Sequence, residues 1–421
     1  MLIPTASHLI IWSIAAIAVF GVIVRPWRSP EFIWAIGGAL LLLLSGLLPW
    51  RAGWLAARGG ADVYCFLAGM MLLSELARRE GLFDYLAAFA VVGARGSPRR
   101  LFALIYAAAV IVTIFMSNDA TAVVMTPAVY AASKRAGAKP LPYLLICAFV
   151  ANAASFVLPI SNPANLVIFG DHTPALGPWL KQFGLPSLVS IVISFATLYL
   201  LQRRQFGTTL RPAEPLPSLS HTAIFSACGI GAAAVVLLVC SALDVPLGLP
   251  TACASLLVAV VVWIKNREAP WPTLQAISWS VLALVAGLFI LVEALRRTGL
   301  IDALATGLHG WNATRPIEAA WGSAALLAVT SNLVNNLPTG LAAGLAASAA
   351  HASAVLKGAL TIGVDLGPNL SVTGSLATIL WLTAIRREGQ DISAWRFLRL
   401  GLVMMPVALL PAVGVLLALA A

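Results

Sequence analysis

Asn118-Asp119-Ala120-Thr121 stands inside an apolar run from Leu101 to Ala132. A carboxylate carried into a bilayer costs about 2.5–3.5 kcal/mol even on the lenient insertion scale. Asn and Asp side chains also bond local backbone, so they favour breaks over helix interiors. The pair therefore predicts a broken membrane helix with a polar site at the break. Three further polar interruptions follow: Ser161-Asn162-Pro163-Ala164-Asn165, Asn335-Asn336-Leu337-Pro338-Thr339 and Ser371-Val372-Thr373-Gly374-Ser375. Each break frees helix-end N–H and C=O groups that can hold a solute. None of the four contains Lys or Arg. That lining suits a neutral polyhydroxy solute or a weakly bound cation better than an anion as charged as citrate or phosphate.

The residues expected to bind solute or shape the breaks are Asn118, Ser161, Asn162, Asn165, Asn335, Asn336, Ser371, Thr373 and Ser375. Asn and Ser supply both donors and acceptors, as a neutral hydroxide requires. Asp119 and Asp365 are isolated carboxylates within polar stretches. Each is a candidate proton carrier, with a half-helix cap as the alternative. Asn332 is either site lining or the polar edge of its break. Glu75 and Glu293 each precede an Arg pair by three and four residues, the spacing of helical ion pairs. Gly340 and Gly344 have the spacing of close helix packing.

The five cysteines lie in apolar runs without metal-ligand spacing and read as small buried hydrophobes. His8, His172, His221, His309 and His351 are scattered at loops and ends, without an assigned role. Phosphate-loop, zinc-protease and nucleophile-elbow signatures are absent from the sequence. The expectation is a non-enzymatic protein without cofactor or permanent metal ligands. Any ATP drive must come from a separate chain.

The elements around these breaks must lie in a membrane. The chain is 60% hydrophobic and 10% charged, against about 25% charged in soluble domains. Its net charge of +10 sits as short clusters between apolar runs, the pattern of insertion topology and not of a nucleic-acid surface. Spans are expected at residues 8–24, 31–49, 62–77 and 183–201, with a broken span at 101–133 and a re-entrant hairpin at 140–170. An amphipathic surface segment is expected at 82–93. Arg25 and Arg28 follow the first span and no basic residue precedes it, so it reads as uncleaved. Spans recur at 222–241, 248–264, 275–295 and 398–419, with a broken span at 317–349 and a hairpin at 353–385.

The recurrence is visible in residues. Ala68-Gly69, Glu75, Arg78-Arg79, Gly81-Leu82 and Asp84 coincide with Ala286-Gly287, Glu293, Arg296-Arg297, Gly299-Leu300 and Asp302 at an offset of 218. Asn118-Asp119 falls on Asn335-Asn336 at 217, and the loops around Ser161 and Ser371 coincide at 210. The division is a first transmembrane repeat at 1–201, a cytoplasmic linker at 202–221 and a second repeat at 222–421. Five spans per repeat is odd, so the second copy inserts inverted. With both termini outside, 17 of the 26 Lys and Arg are cytoplasmic. The fold class is therefore an all-α polytopic membrane protein. It is an inverted repeat of five transmembrane helices plus one re-entrant hairpin each, with broken helices at the midplane. This is the pattern of a secondary transporter.

At these motifs the sequence resembles the arsenite/antimonite efflux permeases, a branch of the ion-transporter superfamily. The matching pieces are Asn118-Asp119-Ala120-Thr121-Ala122 with Thr126-Pro127, Ser161-Asn162 with Asn165, and Asn335-Asn336-Leu337-Pro338. The most discriminating is Asp365-Leu366-Gly367-Pro368-Asn369 with Gly374-Ser375-Leu376-Ala377-Thr378 and Leu380-Trp381-Leu382. The likeness runs from about residue 30 to 415. It implies extrusion of arsenite and antimonite, as neutral trihydroxides, across the inner membrane in exchange for protons. Some members of that family also serve as the channel of a complex with a soluble ATPase. The chain departs from the family pattern at Asn152, where some members carry Asp, and at Leu370-Ser371-Val372-Thr373, where others have Thr-Pro. The alternatives are a sodium-coupled carboxylate or sodium/proton exchanger of the same superfamily, and a passive pore subunit.

Overall fold

The computed structural model describes residues 5–420 apart from 171–172, 208, 213–214 and 217; His172 and Pro217 thus lie outside the described residues. The first half comprises α1 (Ala6–Val24), α2 (Glu31–Leu44), α3 (Trp50–Gly59), α4 (Ala61–Arg79), α5 (Leu82–Ala94), α6 (Pro98–Met116), α7 (Asn118–Ala120), α8 (Thr126–Arg135), α9 (Leu141–Ala153), α10 (Pro163–Phe169) and α11 (Leu176–Gln202). The second comprises α12 (His221–Ala242), α13 (Gly248–Asn266), α14 (Trp271–Ala276), α15 (Ser280–Arg297), α16 (Leu300–Thr314), α17 (Pro316–Val334), α18 (Asn336–Ala349), α19 (Ala354–Leu366), α20 (Leu376–Arg387) and α21 (Ala394–Ala418). Among the described residues seven helices are long and apolar enough to cross a membrane, and eight if α3 and α4, bent by 46°, form one span. The chain is a multi-pass, all-helical membrane protein. The span expected at 31–49 is shorter than foreseen, because α2 stops at Leu44 before Gly46, whose φ is +73°.

The ends of the helices correct two assignments. Leu210 N donates to Gly96 O at 3.0 Å and Arg211 N donates to Ala136 O at 2.9 Å. Consecutive linker residues thus touch the loop before α6 and the loop after α8. Both lie at one end of the bundle. A continuous path through α6, 19 residues long at 1.5 Å each, and on through α8 would leave them tens of ångströms apart. The segment 101–133 is therefore a helical hairpin with its tip at Ser117, not a broken span.

The segment 140–170 is the broken span. Tyr143 Oη donates to Pro98 O at that same end, while Ser161 Oγ donates to Ile114 O near the tip of α6. The 27-residue α11 then returns to where Phe206 packs on Phe102 and Tyr143. The second half repeats the exchange. His309 Nδ1 lies 3.1 Å from Ala350 O, placing the end of α18 beside α16. Gly363 and Gly367 abut Ala324 and Ala328, so α19 runs parallel to α17 from the same end. Hence 317–349 is the hairpin and 353–385 the broken span. The number of spans and hairpins per half is unchanged.

Two helix pairs frame these elements. Asp62 accepts from Gly248 N and Glu80 accepts from Asn266, so α4 runs parallel to α13. Ala35 abuts Gly287, and Leu291 lies near Gly38, so α2 runs parallel to α15. The Ala-Gly of the recurring stretch now has a cause. A Cβ at Gly69 would lie 2.8 Å from the Thr251 carbonyl oxygen, and one at Gly287 2.7 Å from the Ala35 carbonyl carbon. Gly344 likewise leaves room for Ile168, whose carbonyl oxygen a Cβ there would crowd. The expected ion pairs are present: Arg78 and Arg296 each lie 2.6 Å from their glutamates, Glu75 and Glu293.

Of the cysteines only Cys147 is buried; Cys228 and Cys253 are exposed on the apolar outer surface. The expectation of five buried thiols is corrected to one, because α12 and α13 turn most of their apolar side chains outward. On α5, Phe83, Ala87, Ala90 and Ala94 form one buried stripe, as an amphipathic surface helix requires.

Candidate functional site

The hairpin tips are made without glycine or proline at the reversal. Ser117 adopts φ 115°, ψ 161° and Asn335 adopts φ 75°, ψ 151°. Extended ψ at positive φ is a region almost restricted to glycine and costs about 1–3 kcal/mol. After each tip a new helix starts, with Asn118 or Asn336 as its first residue. In the first hairpin the return arm contains a π-helical turn over Thr121–Met125. Pro127, which has no N–H for the Val123 carbonyl, lies just beyond it. Thr126 Oγ1 donates to Ala122 O at 2.7 Å within that turn, and the Thr113 and Thr121 hydroxyls bond at 2.8 Å.

The broken spans contribute two capping residues. Asn162 Oδ1 accepts from Ala164 N at 3.0 Å at the start of α10, and Ser375 Oγ accepts from Thr378 N at 3.1 Å at the start of α20. Four half-helix N-termini therefore face one another. They enclose a cavity of about 10 Å³, the size of about one water, lined by Asn118, Asp119, Asn162, Asn336 and Ser375, with Leu67 of α4 and Val281 of α15 closing it. It has no Lys or Arg in its lining.

Most of the other residues singled out in the sequence do not line this cavity but hold the segments that carry its lining. Ser161 bonds to Ile114 O, and Asn165 Nδ2 donates to Ser155 O at 2.9 Å, holding the unwound stretch between α9 and α10. Asn335 Oδ1 accepts from Leu337 N. Ser371 Oγ donates to Asn332 Oδ1 at 2.7 Å and Thr373 Oγ1 to Asn332 O at 3.1 Å. Asn332 in turn donates to Gly367 O, so it ties the second hairpin to the unwound stretch beside it. Asp365 is wholly buried away from the cavity and accepts from Asn162 Nδ2 at 2.8 Å. Asp119 lines the cavity itself and makes no hydrogen bond or ion pair among the described residues.

One pair escaped the sequence reading as a site. Asn152 Nδ2 donates to Asn369 Oδ1 at 3.0 Å, joining the two broken spans. These residues are 217 apart, so the offset alone could have paired them. Asn152 Oδ1 and Asn369 Nδ2 are buried without partners, as are Asn118 Oδ1, Asn165 Oδ1 and Asp365 Oδ2.

Two larger cavities flank the centre. One, of about 90 Å³, reaches from Ser117 and Asp119 along α4 to Ser74 and Glu75. The other, of about 300 Å³, is bounded by Glu293 and Arg296 of α15, Asp62 and Asp244, and ends at Leu341 and Leu166. Their walls correspond, α4 in one and α15 in the other. Only the smaller one touches the polar centre.

Residues 22–366 match the citrate-transporter family. The chain belongs to that family. The transporter is 27% identical over 389 residues to an arsenical pump membrane protein of Escherichia coli, covering 87% of this chain and 88% of the relative. An arsenical pump membrane protein of Yersinia enterocolitica is likewise 27% identical over 387 residues, with the same coverage. An uncharacterized transporter of Mycobacterium tuberculosis is 26% identical over 371 residues, covering 83% of both chains. In fold, the transporter is similar to the Alcanivorax borkumensis YdaH transporter, with a TM-score of 0.57 over 86% of this chain and 85% of that one, at 17% identity. The ion-transporter resemblance read from the motifs is borne out at the level of the family.

Proposed function

We propose that the transporter exports arsenite and antimonite as neutral trihydroxides in exchange for protons. The observation that carries this reading is the central cavity: amide and hydroxyl groups on four half-helix ends, one unpaired carboxylate, and no cationic side chain in the lining. Placing a trivalent anion beside Asp119 would set like charges together in a water-poor interior, where repulsion is far stronger than in water. The names of the Escherichia coli and Yersinia relatives support arsenicals as the substrate class.

Asp119 is the exchanging acid, since it borders both the centre and the smaller flanking cavity. Asp365 stays sealed and holds Asn162 at the cavity wall. Asn118, Asn162, Asn336 and Ser375 contact the solute. Ser161, Asn165, Asn335, Ser371 and Thr373 shape the tips and unwound stretches. The two halves, 1–201 and 222–421, insert with opposite orientation on either side of the cytoplasmic linker 202–221. Support for this comes from α13, which corresponds to α2 yet runs parallel to α4, and from α15, which corresponds to α4 yet runs parallel to α2. With both termini outside the inner membrane, exchanging hairpins and broken spans moves Lys134, Arg135 and Lys139 to the cytoplasm and Lys357 away from it. The cytoplasmic count rises from 17 to 19 of the 26 Lys and Arg, in keeping with the positive-inside rule.

A second reading has its own observation. Four half-helix N-termini present partial positive charge and free N–H groups, which favour anions. With the family's description, that supports a sodium-coupled carboxylate exchanger. Proteoliposomes separate the two. The first reading expects arsenite flux that follows an imposed pH gradient and ignores sodium. Sodium-driven citrate uptake without arsenite movement would overturn it, and arsenite flux indifferent to the pH gradient would indicate a passive pore that needs an ATPase partner.

A further inference from the structure

A third large cavity lies away from the transport centre, at the foot of the first hairpin. It measures about 340 Å³ and sits between α5, α8 and the linker. One wall is apolar, formed by Ala88, Val91 and Val92 of α5 with Ala128 and Ala132 of α8. The lining also includes Arg135, at the end of α8, and Arg211 of the linker. Neither takes part in an ion pair among the described residues. Among the described lining residues, Asp84 is the acidic one.

The placement of Arg211 is built. Its N–H bonds Ala136 O, the preceding N–H bonds Gly96 O, and its side-chain stem packs over Gly137, where a Cβ would come within 3.1 Å of Arg211 Cγ. Gly137 has φ +72°, so a side chain there is disfavoured on both counts. The linker is thus pinned so that Arg211 joins Arg135 in the lining of an apolar-walled recess at a helix end. Arg95, Arg99, Arg100, Lys134 and Lys139 flank the same loops and raise the local positive potential.

We propose that this recess binds the headgroup of an anionic phospholipid. The phosphodiester pairs with Arg135 and Arg211, the upper acyl chain lies on the Val91–Ala132 wall, and Asp84 accepts from headgroup hydroxyls such as those of phosphatidylglycerol. Guanidinium groups match phosphate oxygens in bidentate geometry. The apolar wall distinguishes a lipid from a free phosphate, which gains nothing from it.

The test is native mass spectrometry of the purified full-length protein, titrated with phosphatidylglycerol or phosphatidylcholine. The expected result is retention of phosphatidylglycerol at least fivefold above phosphatidylcholine. That preference should fall to near unity in Arg135→Gln/Arg211→Gln and persist in Arg99→Gln/Arg100→Gln, a control on general surface charge. Inorganic phosphate at millimolar concentration should not displace the lipid. Equal retention of the two lipids by the wild type would overturn the proposal without recourse to any variant. So would full retention by the Arg135/Arg211 variant, or displacement by inorganic phosphate, which would assign the recess to a soluble anion.

Discussion

The two hairpin tips share a backbone and differ in chemistry. Ser117 and Asn335 reverse the chain with the same strained combination of positive φ and extended ψ, and each is followed by an asparagine that opens a new helix. One residue further on, the first tip carries Asp119 and the second Leu337. Aligned on the tips, the halves are offset by 218, the offset of the Ala-Gly stretch, so Leu337 and not Asn336 is the counterpart of Asp119. The first return arm is also loosened by a π-helical turn, a feature that often accompanies functional sites. The second continues as a regular helix over Asn336–Ala349. The scaffold is thus duplicated while the tip acid and the irregular helix belong to one copy; under the proposed function, solute contact falls to both halves and proton exchange to the first.

The largest effect should come from removing that asymmetry. Asp119→Asn keeps size and polarity but deletes the acid. Proton-driven arsenite flux in proteoliposomes should fall at least tenfold, while counterflow of arsenite without a gradient survives. Asp365→Asn, at the sealed site bonded to Asn162, should leave the gradient dependence in place. If the two variants lose gradient-driven flux equally, the division of labour between the acids is wrong.

Next in size are the duplicated glycines. Gly69→Val and Gly287→Val push a side chain against the backbone of Thr251 and Ala35, and overpacking of this kind costs about 1–3 kcal/mol. Thermal unfolding in detergent should show comparable losses for the two. A loss in only one would break the equivalence of the α4–α13 and α2–α15 pairs.

How much of this was legible in the chain follows from the same contrast. The polar breaks could be read because Asn and Asp stand out against apolar neighbours, and the duplication because glycines and ion pairs recur at a fixed offset. The exchange of hairpin and span could not. Pro159 to Asn165 looks like a turn, yet the chain only unwinds there, with Asn165 tying the strands of the loop to Ser155 O and Leu158 O. The true reversals occur at Ser117, whose type does not announce a positive φ, and at Asn335, which tolerates one but stands among Asn332 and Asn336 with nothing to single it out. Pairing the loops around Ser161 and Ser371 at an offset of 210 had a similar cause. The sequence matches serine to serine, whereas the helix caps match Asn162 to Ser375. Asn152 and Asn369 were hidden for a different reason: each looks ordinary alone, and their role appears only when the broken spans cross.

That crossing gives a smaller, sharper test. Asn152→Leu or Asn369→Leu leaves the other amide buried without its partner, at about 1–3 kcal/mol. The double variant should recover part of the loss, with a coupling of about 0.5–1.5 kcal/mol in a double-mutant cycle of unfolding free energies. Zero coupling would mean that the two broken spans do not meet through this bond.

The smallest effect compares the tips directly. Ser117 sits at φ 115° with no hydrogen bond from its own side chain to the helix that follows, so Ser117→Gly relieves strain and forfeits little. Against a strain of about 1–3 kcal/mol, glycine adds back up to about 1 kcal/mol of unfolded-state entropy. A net gain of about 0–2 kcal/mol follows, seen as a raised unfolding temperature. Asn335→Gly should gain less. Asparagine tolerates positive φ better than serine, and its side-chain bond from Leu337 N, worth a few tenths of a kcal/mol relative to glycine, is lost. Should Asn335→Gly stabilise more than Ser117→Gly, the strain at the two reversals would be distributed opposite to the acid, and the first tip would be the relaxed one.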